Sequence, residues 1–493
     1  MEINKNVIDI IDKLNKNGFE SYIVGGCVRD TLINREPKDW DITTIARPDE
    51  ILKIFPESRY ENTFGTIIIP IKDKDDKLIE QIEVTTYRSE QGYSDRRHPD
   101  EIRFENEIDR DLERRDFTIN ALAINLYEIS DKYSSHIQTF DNYNILDFFG
   151  GIKDIKNKII RSVGEPTDRF KEDALRMMRA IRFACELEFN IEEKTLRGIT
   201  KLAGNIKFIS NERKRDELIK ILSSNKAAEG IELLQTTKLL QYIIPELEEG
   251  VKTPQTRHHV HPVFKHLTLS LKNCPNPNWQ VRLATLMHDV GKPKTLKMVN
   301  GETTFYNHEY AGAKITYKVM TRLKFSNKDI ERVTNLVKNH MFYYDVGEVT
   351  ESSVRRLIKK VGEENLKDLI DVRIGDRLGS GVAKAKPYRL RHLEYMMDKV
   401  RHDPISVKML KINGNDLIQL LQIQPSPKIG TILDCLLAEI IEDPKLNTKE
   451  YLEEKAHELN KLNDNDLRAK AKEVIEEERE KEDQSIKNKH YVK

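Results

Sequence analysis

Asp39 and Asp41 lie two residues apart in the segment YIVGGCVRDTLINREPKDWDITT. On a strand, residues at that spacing project from the same face. Two neighbouring carboxylates repel unless a cation neutralises them, and paired Mg2+ ions do this in polymerases. Gly25-Gly26, just upstream, joins an expected strand to an expected helix. Glycines there let backbone N–H groups approach phosphates at a helix N-terminus, and Arg29 in the first turns can meet a triphosphate. Either feature alone says little; together, within about 20 residues, they indicate phosphate and metal chemistry. A second constellation is spread over the later half of the chain: His266, adjacent His288-Asp289, His308, His340 and Asp376. His-Asp inside an apolar helix is costly unless something ligates both side chains. Imidazoles mixed with carboxylates suit a transition metal or Mg2+. His258, His259 and His261 are nearby competitors, ranked below His266 because His266 lies in an apolar-patterned helix.

These groups need a frame. The chain has 493 residues, which suggests about three domains. Residues 1–150 mix strand and helix signals, with strands expected at 21–24 and 40–44 and a hairpin at 66–71 and 78–86. An amphipathic helix with Val7, Ile8, Ile11 and Leu14 opens the chain and ends at Asn17-Gly18. From about residue 165 the period is helical, with prolines punctuating 250–280. The highly charged end, from about Tyr451, reads as a solvated tail. Lys plus Arg and Asp plus Glu are both 82, so RNA binding would have to use local basic surfaces such as Lys207, Arg213, Lys214 and Arg215. Four scattered cysteines form no CxxC pair and fit a reducing, cytoplasmic setting. No apolar run is long enough for a membrane span.

GGCVRD followed by DWD resembles the signature of class II tRNA nucleotidyltransferases and bacterial poly(A) polymerases, members of the polymerase-β-like superfamily. Further motifs follow in the family's order: RRDFTINALA at 114–123, LDFFGGIKDI at 146–155, EDALRMMRAIRF at 172–183 and SNERKRDELIKIL at 210–222. INGNDLIQLLQIQPSPKIGTILDCLL resembles the C-terminal helical region, with Gln-Pro-Ser-Pro replacing a glycine-rich turn. The resemblance implies an α+β fold: a nucleotidyltransferase head (1–150), a helical neck (151–250), an HD domain (251–400) and a helical tail (401–493). It implies that Gly26, Arg29 and Arg115 contact the incoming nucleotide, and that Asp39 and Asp41 hold Mg2+ as the catalytic pair. Asp116 would serve packing and Asn120 a turn. Glu83 is a possible third carboxylate, with a salt-bridged strand glutamate as the alternative.

On a continuous helix Asp173, Arg176, Arg179 and Arg182 would form one polar stripe. Alone, that stripe is a solvated face; with the resemblance it becomes a base reader. Cytosine and adenine both offer an exocyclic amine beside a ring-nitrogen acceptor. Asp173 would accept from the amine and Arg176 would donate to the ring nitrogen, while uracil and guanine would pair badly. Arg179 and Arg182 would support the pair or reach phosphates. YSDRRHPD at 93–100 resembles the flexible loop of CCA-adding enzymes, which favours CCA addition to tRNA from CTP and ATP. Poly(A) synthesis and partial CC or A addition are the alternatives within the class. The order His, His-Asp, Asp resembles the HD phosphohydrolase superfamily, which implies a divalent metal of unspecified identity and a second, phosphohydrolase activity. An HD phosphohydrolase using its head only to bind RNA is the alternative of another class.

Overall fold

The computed structural model describes residues 3–61, 65–91, 101–127, 129–140, 143–255, 261–299, 302–382, 384–401, 407–462 and 464–492. Two compact units are formed. The first comprises Met1–His340 and Asp368–Ala383, the second Met341–Lys367 and Lys384–Lys493.

The first unit begins with the helix Lys5–Lys16, which buries Val7, Ile10, Ile11 and Leu14. Its strands are β1 (Ser21–Val24), β2 (Asp41–Thr44), β3 (Arg59–Tyr60), β4 (Thr66–Lys72), β5 (Leu78–Thr86), β6 (Arg88–Gln91), β7 (Glu101–Phe104), β8 (Leu122–Asn125), β9 (Ile137–Phe140) and β10 (Tyr143–Asp147). Eight of them form one sheet in the order β3-β4-β5-β2-β1-β8-β10-β9, while β6 and β7 pair separately. Within the large sheet β2 and β5 run parallel, in a register that sets Asp41 opposite Glu83. The β4–β5 hairpin turns where the polar run Lys72–Lys77 was expected to turn it. Both central strands β1 and β8 are buried throughout, which fixes the sheet as a rigid floor under the β2 end.

Beyond the sheet the unit is largely helical, as the period from 165 onward requires. The helix Leu175–Leu187 packs on Asn211–Ser223, burying Met178 and Ile181 together with Leu218 and Ile221. Farther along, Val263–Lys272, Trp279–Met287, His308–Arg322, Asn327–Asn339 and Leu366–Gly379 carry the histidine-rich constellation. A small hairpin, Lys297–Val299 with Glu302–Thr304, interrupts the helical run.

The second unit has its core on Leu417, Ile432, Leu436 and Leu452. The Gln-Pro-Ser-Pro stretch places Pro427 in the first turn of the helix Pro427–Glu442, where its missing N–H costs nothing. The expectation of a solvated charged tail is corrected here. The helix Asp464–Lys489 packs against Pro427–Glu442, and its Ile475 is buried in the core. Ile475 and the partly buried Val474 beside it dock a helix whose other positions are mostly charged. Among the described residues, no helix is long and apolar enough to cross a membrane.

Candidate active site and a candidate metal centre

Asp41 opens β2, and Asp39 lies in the bend just before it. The strand is therefore shorter than expected, yet Trp40 between the two acids is buried at 7% exposure while Asp39 is exposed. Burial raises the Asp41 carboxyl, Arg115 opposes that, and the charge of Asp39 adds to it. Glu83 on the neighbouring strand is pushed up to about 7 by partial burial, then by Asp41, Glu61 and Asp39. Its side chain remains exposed to solvent. Asp39 raises the proton affinity of both Asp41 and Glu83, and Asp41 raises that of Glu83; carboxylates crowded in this way form a cation-seeking cluster. Sequence reasoning left Glu83 outside the core site; the parallel register that aligns it with Asp41 joins segments too distant for local patterns to reveal.

Gly25, between β1 and the helix Gly26–Leu32, has φ +86, and a Cβ there would fall 2.7 Å from Arg115 Nη1 and 3.3 Å from Asp41 Oδ2. The glycine thus lets the Arg115 guanidinium lie over the turn beside Asp41. Gly26 begins the helix. Arg29 is placed differently from expectation: it is buried at 7% exposure and bonded to protein groups. Its Nε and Nη2 donate to Asp30 Oδ1 at 2.9 and 2.8 Å, and Nη1 donates to Asn120 Oδ1 at 2.7 Å. Asn120 in turn donates to Asp116 Oδ1 at 3.0 Å, and Asp116 Oδ2 accepts from Arg179 Nε at 2.7 Å. Burial opposes the Asp116 charge, but Arg179, Asn120 and Arg176 hold its carboxyl down to about 2. Asp116 and Asn120 are thus links in a chain of polar contacts from the helix Gly26–Leu32 to the helix Leu175–Leu187.

The continuous polar stripe expected from Asp173 to Arg182 is corrected. Asp173 has extended backbone, φ −135 and ψ 107, and follows the helix Pro166–Glu172. The next helix begins at Leu175. Asp173 Oδ1 accepts from the Leu175 backbone N–H at 2.9 Å, a local capping bond that competes with helix continuation. Its Oδ2 is held by Arg213 Nη2 at 2.7 Å. Arg176 reaches Glu172 at 2.5 Å and the Arg114 carbonyl at 2.9 Å. Arg182 pairs with Glu217 at 2.9 Å and lies over Phe183 at 4.2 Å. The basic residues considered for RNA are also engaged. Arg213 pairs with Asp173, Lys214 is buried at 5% exposure, Arg215 contacts Asp216 and the Lys324 carbonyl, and Lys207 lies over Tyr242. Tyr93–His98 of the loop, and His258 and His259, lie outside the described residues.

The second constellation comes together. His266, His288, Asp289, His308, His340 and Asp376 are all buried, on five segments of the first unit. Gly291 permits this convergence: a Cβ there would fall 2.2 Å from the His308 carbonyl and 2.5 Å from the Gly312 nitrogen. His288 Nδ1 is 2.7 Å from the Thr285 carbonyl, His308 Nδ1 2.8 Å from Phe305, and His340 Nδ1 2.7 Å from Val337. A carbonyl only accepts, so each Nδ1 carries a proton and each Nε2 faces the centre. The buried Nε2 atoms of His308 and His340 make no well-formed hydrogen bond. Asp289 Oδ2 lies 3.3 Å from both His266 Nε2 and His288 Nε2. Asp289 Oδ1 is 3.1 Å from His308 Nε2 and 3.7 Å from His340 Nε2. Asp376 Oδ1 is 3.3 Å from His266 Nε2, and its Oδ2 is held by Arg373 at 2.8 Å. Lys292 reaches Asp289 Oδ2 at 2.6 Å and donates to Gln255 at 2.7 Å. Burial alone would lower His288, yet Asp289 and Asp376 raise it to about 10. Convergent imidazole nitrogens and buried carboxylates fit a divalent first-row cation.

Three family models match the chain: the poly A polymerase head domain over residues 21–161, the probable RNA and SrmB-binding site of polymerase A over 188–250, and a tRNA nucleotidyltransferase domain 2 over 306–456. The CCA-adding enzyme of Enterococcus faecalis is 31% identical over 91% of this chain and 94% of its own length. That of Staphylococcus epidermidis is 30% identical over 92% of this chain and 97% of its own. Among solved structures, the CCA-adding enzyme of Bacillus stearothermophilus in complex with CTP matches with TM-score 0.57 and 25% identity, covering 92% of this chain and 97% of that one. The Thermotoga maritima CCA-adding enzyme complexed with tRNA shares the fold, with TM-score 0.52, 21% identity and coverage of 93% and 96%.

Proposed function

This chain belongs to the family of CCA-adding tRNA nucleotidyltransferases, and on that premise we propose that it builds or repairs the complete 3′-terminal CCA of tRNA from CTP and ATP, without a nucleic-acid template. The observation that carries the site assignment is the meeting of Asp41, Glu83 and Arg115 beside Gly25. Asp39 and Asp41 would hold Mg2+, with Glu83 a third carboxylate beside them. When bound, the ions supply charge neutralisation on the triphosphate and acidify the attacking hydroxyl. Arg115 meets the triphosphate over the glycine turn, where backbone N–H groups of the helix start also face the phosphates. The terminal 3′ oxygen of the tRNA attacks the α-phosphorus, the bond from that phosphorus to the bridging oxygen breaks, and pyrophosphate departs. The hydroxyl proton passes to solvent or a nearby carboxylate.

Base choice is assigned to Asp173 and Arg176, with Arg179 and Arg182 as their support. Both readers are bonded to protein groups, so a bound base takes over contacts that Arg213 and Glu172 now make. Arg29 acts through Asn120, Asp116 and Arg179, giving the phosphate end and the base end a common framework. The deciding experiment supplies tRNAs ending before, within and after CC and sequences the products. Restoration of CCA on all incomplete ends is expected. Products lacking C, or stopping at CC, assign the chain to poly(A) synthesis or to partial addition instead.

The histidine-rich centre supports a second activity, hydrolysis of a phosphate ester by metal-activated water. His266, His288, Asp289, His308, His340 and Asp376 would hold the metal. Lys292 and Arg373 supply cationic charge beside the carboxylates. Loss of metal from His288→Ala with CCA addition retained is the expected result; unchanged metal content removes His288 from the ligand set.

A further inference from the structure

Resting on the reading of Arg115 as the triphosphate contact, we propose that Asp111 is the positioning residue that aims it: a buried carboxylate that holds the Arg115 guanidinium over the Gly25 turn and keeps it from closing on Asp41. Asp111 lies in the helix Ile108–Glu113, which buries Ile108 and Leu112 with it. Arg114 and Arg115 follow at i+3 and i+4, so both turn back over the same face of that helix. The Asp111 side chain has no solvent exposure. Its Oδ1 accepts from Arg114 Nε at 3.1 Å and Nη2 at 2.7 Å. Its Oδ2 lies 3.5 Å from Arg115 Nη2 and makes no well-formed hydrogen bond. Burial opposes the charge, but Arg114 and Arg115 hold the carboxyl below its ordinary range.

Arg115 is held but not saturated. Its Nη1 reaches the Asn120 carbonyl only at 3.5 Å, and its buried Nε makes no hydrogen bond. Arg29 is the contrast, with each guanidinium nitrogen donating at 2.7 to 2.9 Å. A guanidinium with donors in reserve can take an anion without giving up a strong bond, whereas one already closed on carboxylates must first break away. Asp41 is the competing attraction. The Cβ position at Gly25 is 2.7 Å from Arg115 Nη1 and 3.3 Å from Asp41 Oδ2, so the two charges are near neighbours. Arg115 nevertheless pairs with Asp111 and not with Asp41. The pull of Asp41 on Nη1 is offset by the buried charge facing Nη2. The backbone beneath is fixed as well. Arg176 Nη2 donates to the Arg114 carbonyl at 2.9 Å, and Arg169 Nη1 to the Glu113 carbonyl at 3.3 Å. With the main chain anchored in this way, Asp111 settles the direction of the Arg115 side chain.

The test compares full-length Asp111→Asn, Arg115→Gln and the two combined, assayed below the lowest of their melting temperatures. Asparagine keeps the shape of Asp111 and removes its charge. Asp111→Asn should raise KM for CTP and for ATP alike by roughly tenfold or more, the size of one charge-assisted hydrogen bond. The change in kcat should be smaller, and the preference over UTP and GTP should stay as in wild type. CTP binding measured without tRNA should weaken by the same factor as KM. Arg115→Gln should weaken CTP binding at least as much. Adding Asp111→Asn to it should do nothing further, because a residue that acts through another has no effect once that other is gone. An unchanged KM in Asp111→Asn, or a full further loss in the combined variant, overturns the positioning role while leaving Arg115 on the triphosphate. Unchanged CTP binding in Arg115→Gln removes the reading of Arg115 itself. If Asp111→Asn does not fold, Asp111→Glu takes its place, since it keeps the charge but shifts it by one methylene. A raised KM that disappears in the Arg115→Gln background is then expected; a wild-type KM, or a rise that persists in that background, overturns the proposal.

Discussion

Asp116 shows how one side chain serves several masters. It accepts from Asn120, pairs with Arg179 and has its carboxyl lowered from 3.8 to about 2. A group depressed in the folded state adds stability above its unfolded pKa and loses it as pH falls through the folded value. A shift of that size corresponds to roughly 2 kcal/mol. Asp116→Asn should therefore cost about that much at neutral pH, and the difference from wild type should shrink as pH falls from about 4 toward 2, read by urea unfolding across that range. At Asp41 the expectation concerns chemistry. Asp41→Asn should abolish nucleotide addition with little change in tRNA affinity or melting temperature, because burial and neighbouring negative charge already disfavour that carboxylate without a cation. Near-normal turnover would remove it from the catalytic pair. Asp173→Ala should weaken discrimination of CTP and ATP against UTP and GTP by roughly tenfold or more, as loss of a bidentate reader implies. The measurement is kcat/KM for all four nucleotides; equal slowing of all four would make Asp173 a helix cap only.

At the scale of elements, Gly291 lets the segment after His288-Asp289 press against the helix His308–Arg322. A Cβ would strike backbone atoms at 2.2 and 2.5 Å, and backbone cannot swing aside as a side chain can. Gly291→Ala should lower stability by about 1–3 kcal/mol or more and reduce metal retention by displacing His308, measured by melting temperature and metal content together. Retained stability and metal would show that the two segments can separate without cost. Much of this level was legible in the residues. Short apolar runs bounded by turn residues gave β1 and most of β2, alternation gave the β5 arm of the hairpin, and the apolar setting of His266 and His288 pointed to their common centre. The break at Asp173 was hidden because the 3.6-residue period of EDALRMMRAIRF runs straight through it, while a single side-chain-to-backbone bond stops the helix. Glu83 was hidden by a parallel pairing that no local pattern encodes. Arg213 carried a charge that suited RNA equally well, and only the packing of Asn211–Ser223 on Leu175–Leu187 turns it toward Asp173.

In the whole molecule, chain order and compact units do not coincide. The chain leaves the first unit after His340, contributes Met341–Lys367 to the second, returns for Asp368–Ala383 and then completes the second unit. Asp376 belongs to that returning segment. During synthesis on a ribosome, five members of the histidine-rich centre emerge before the sixth, and the stretch between belongs to a unit whose larger part is made only afterwards. A chain interrupted after His340 would carry His266, His288, Asp289, His308 and His340 but lack Asp376. Cellular metal could then load such a nascent or truncated chain only loosely. Firm retention of metal would thus be a mark of a chain synthesised past its second crossing between units, a built-in record of completeness that the N-terminal nucleotidyltransferase head, finished much earlier in synthesis, does not keep.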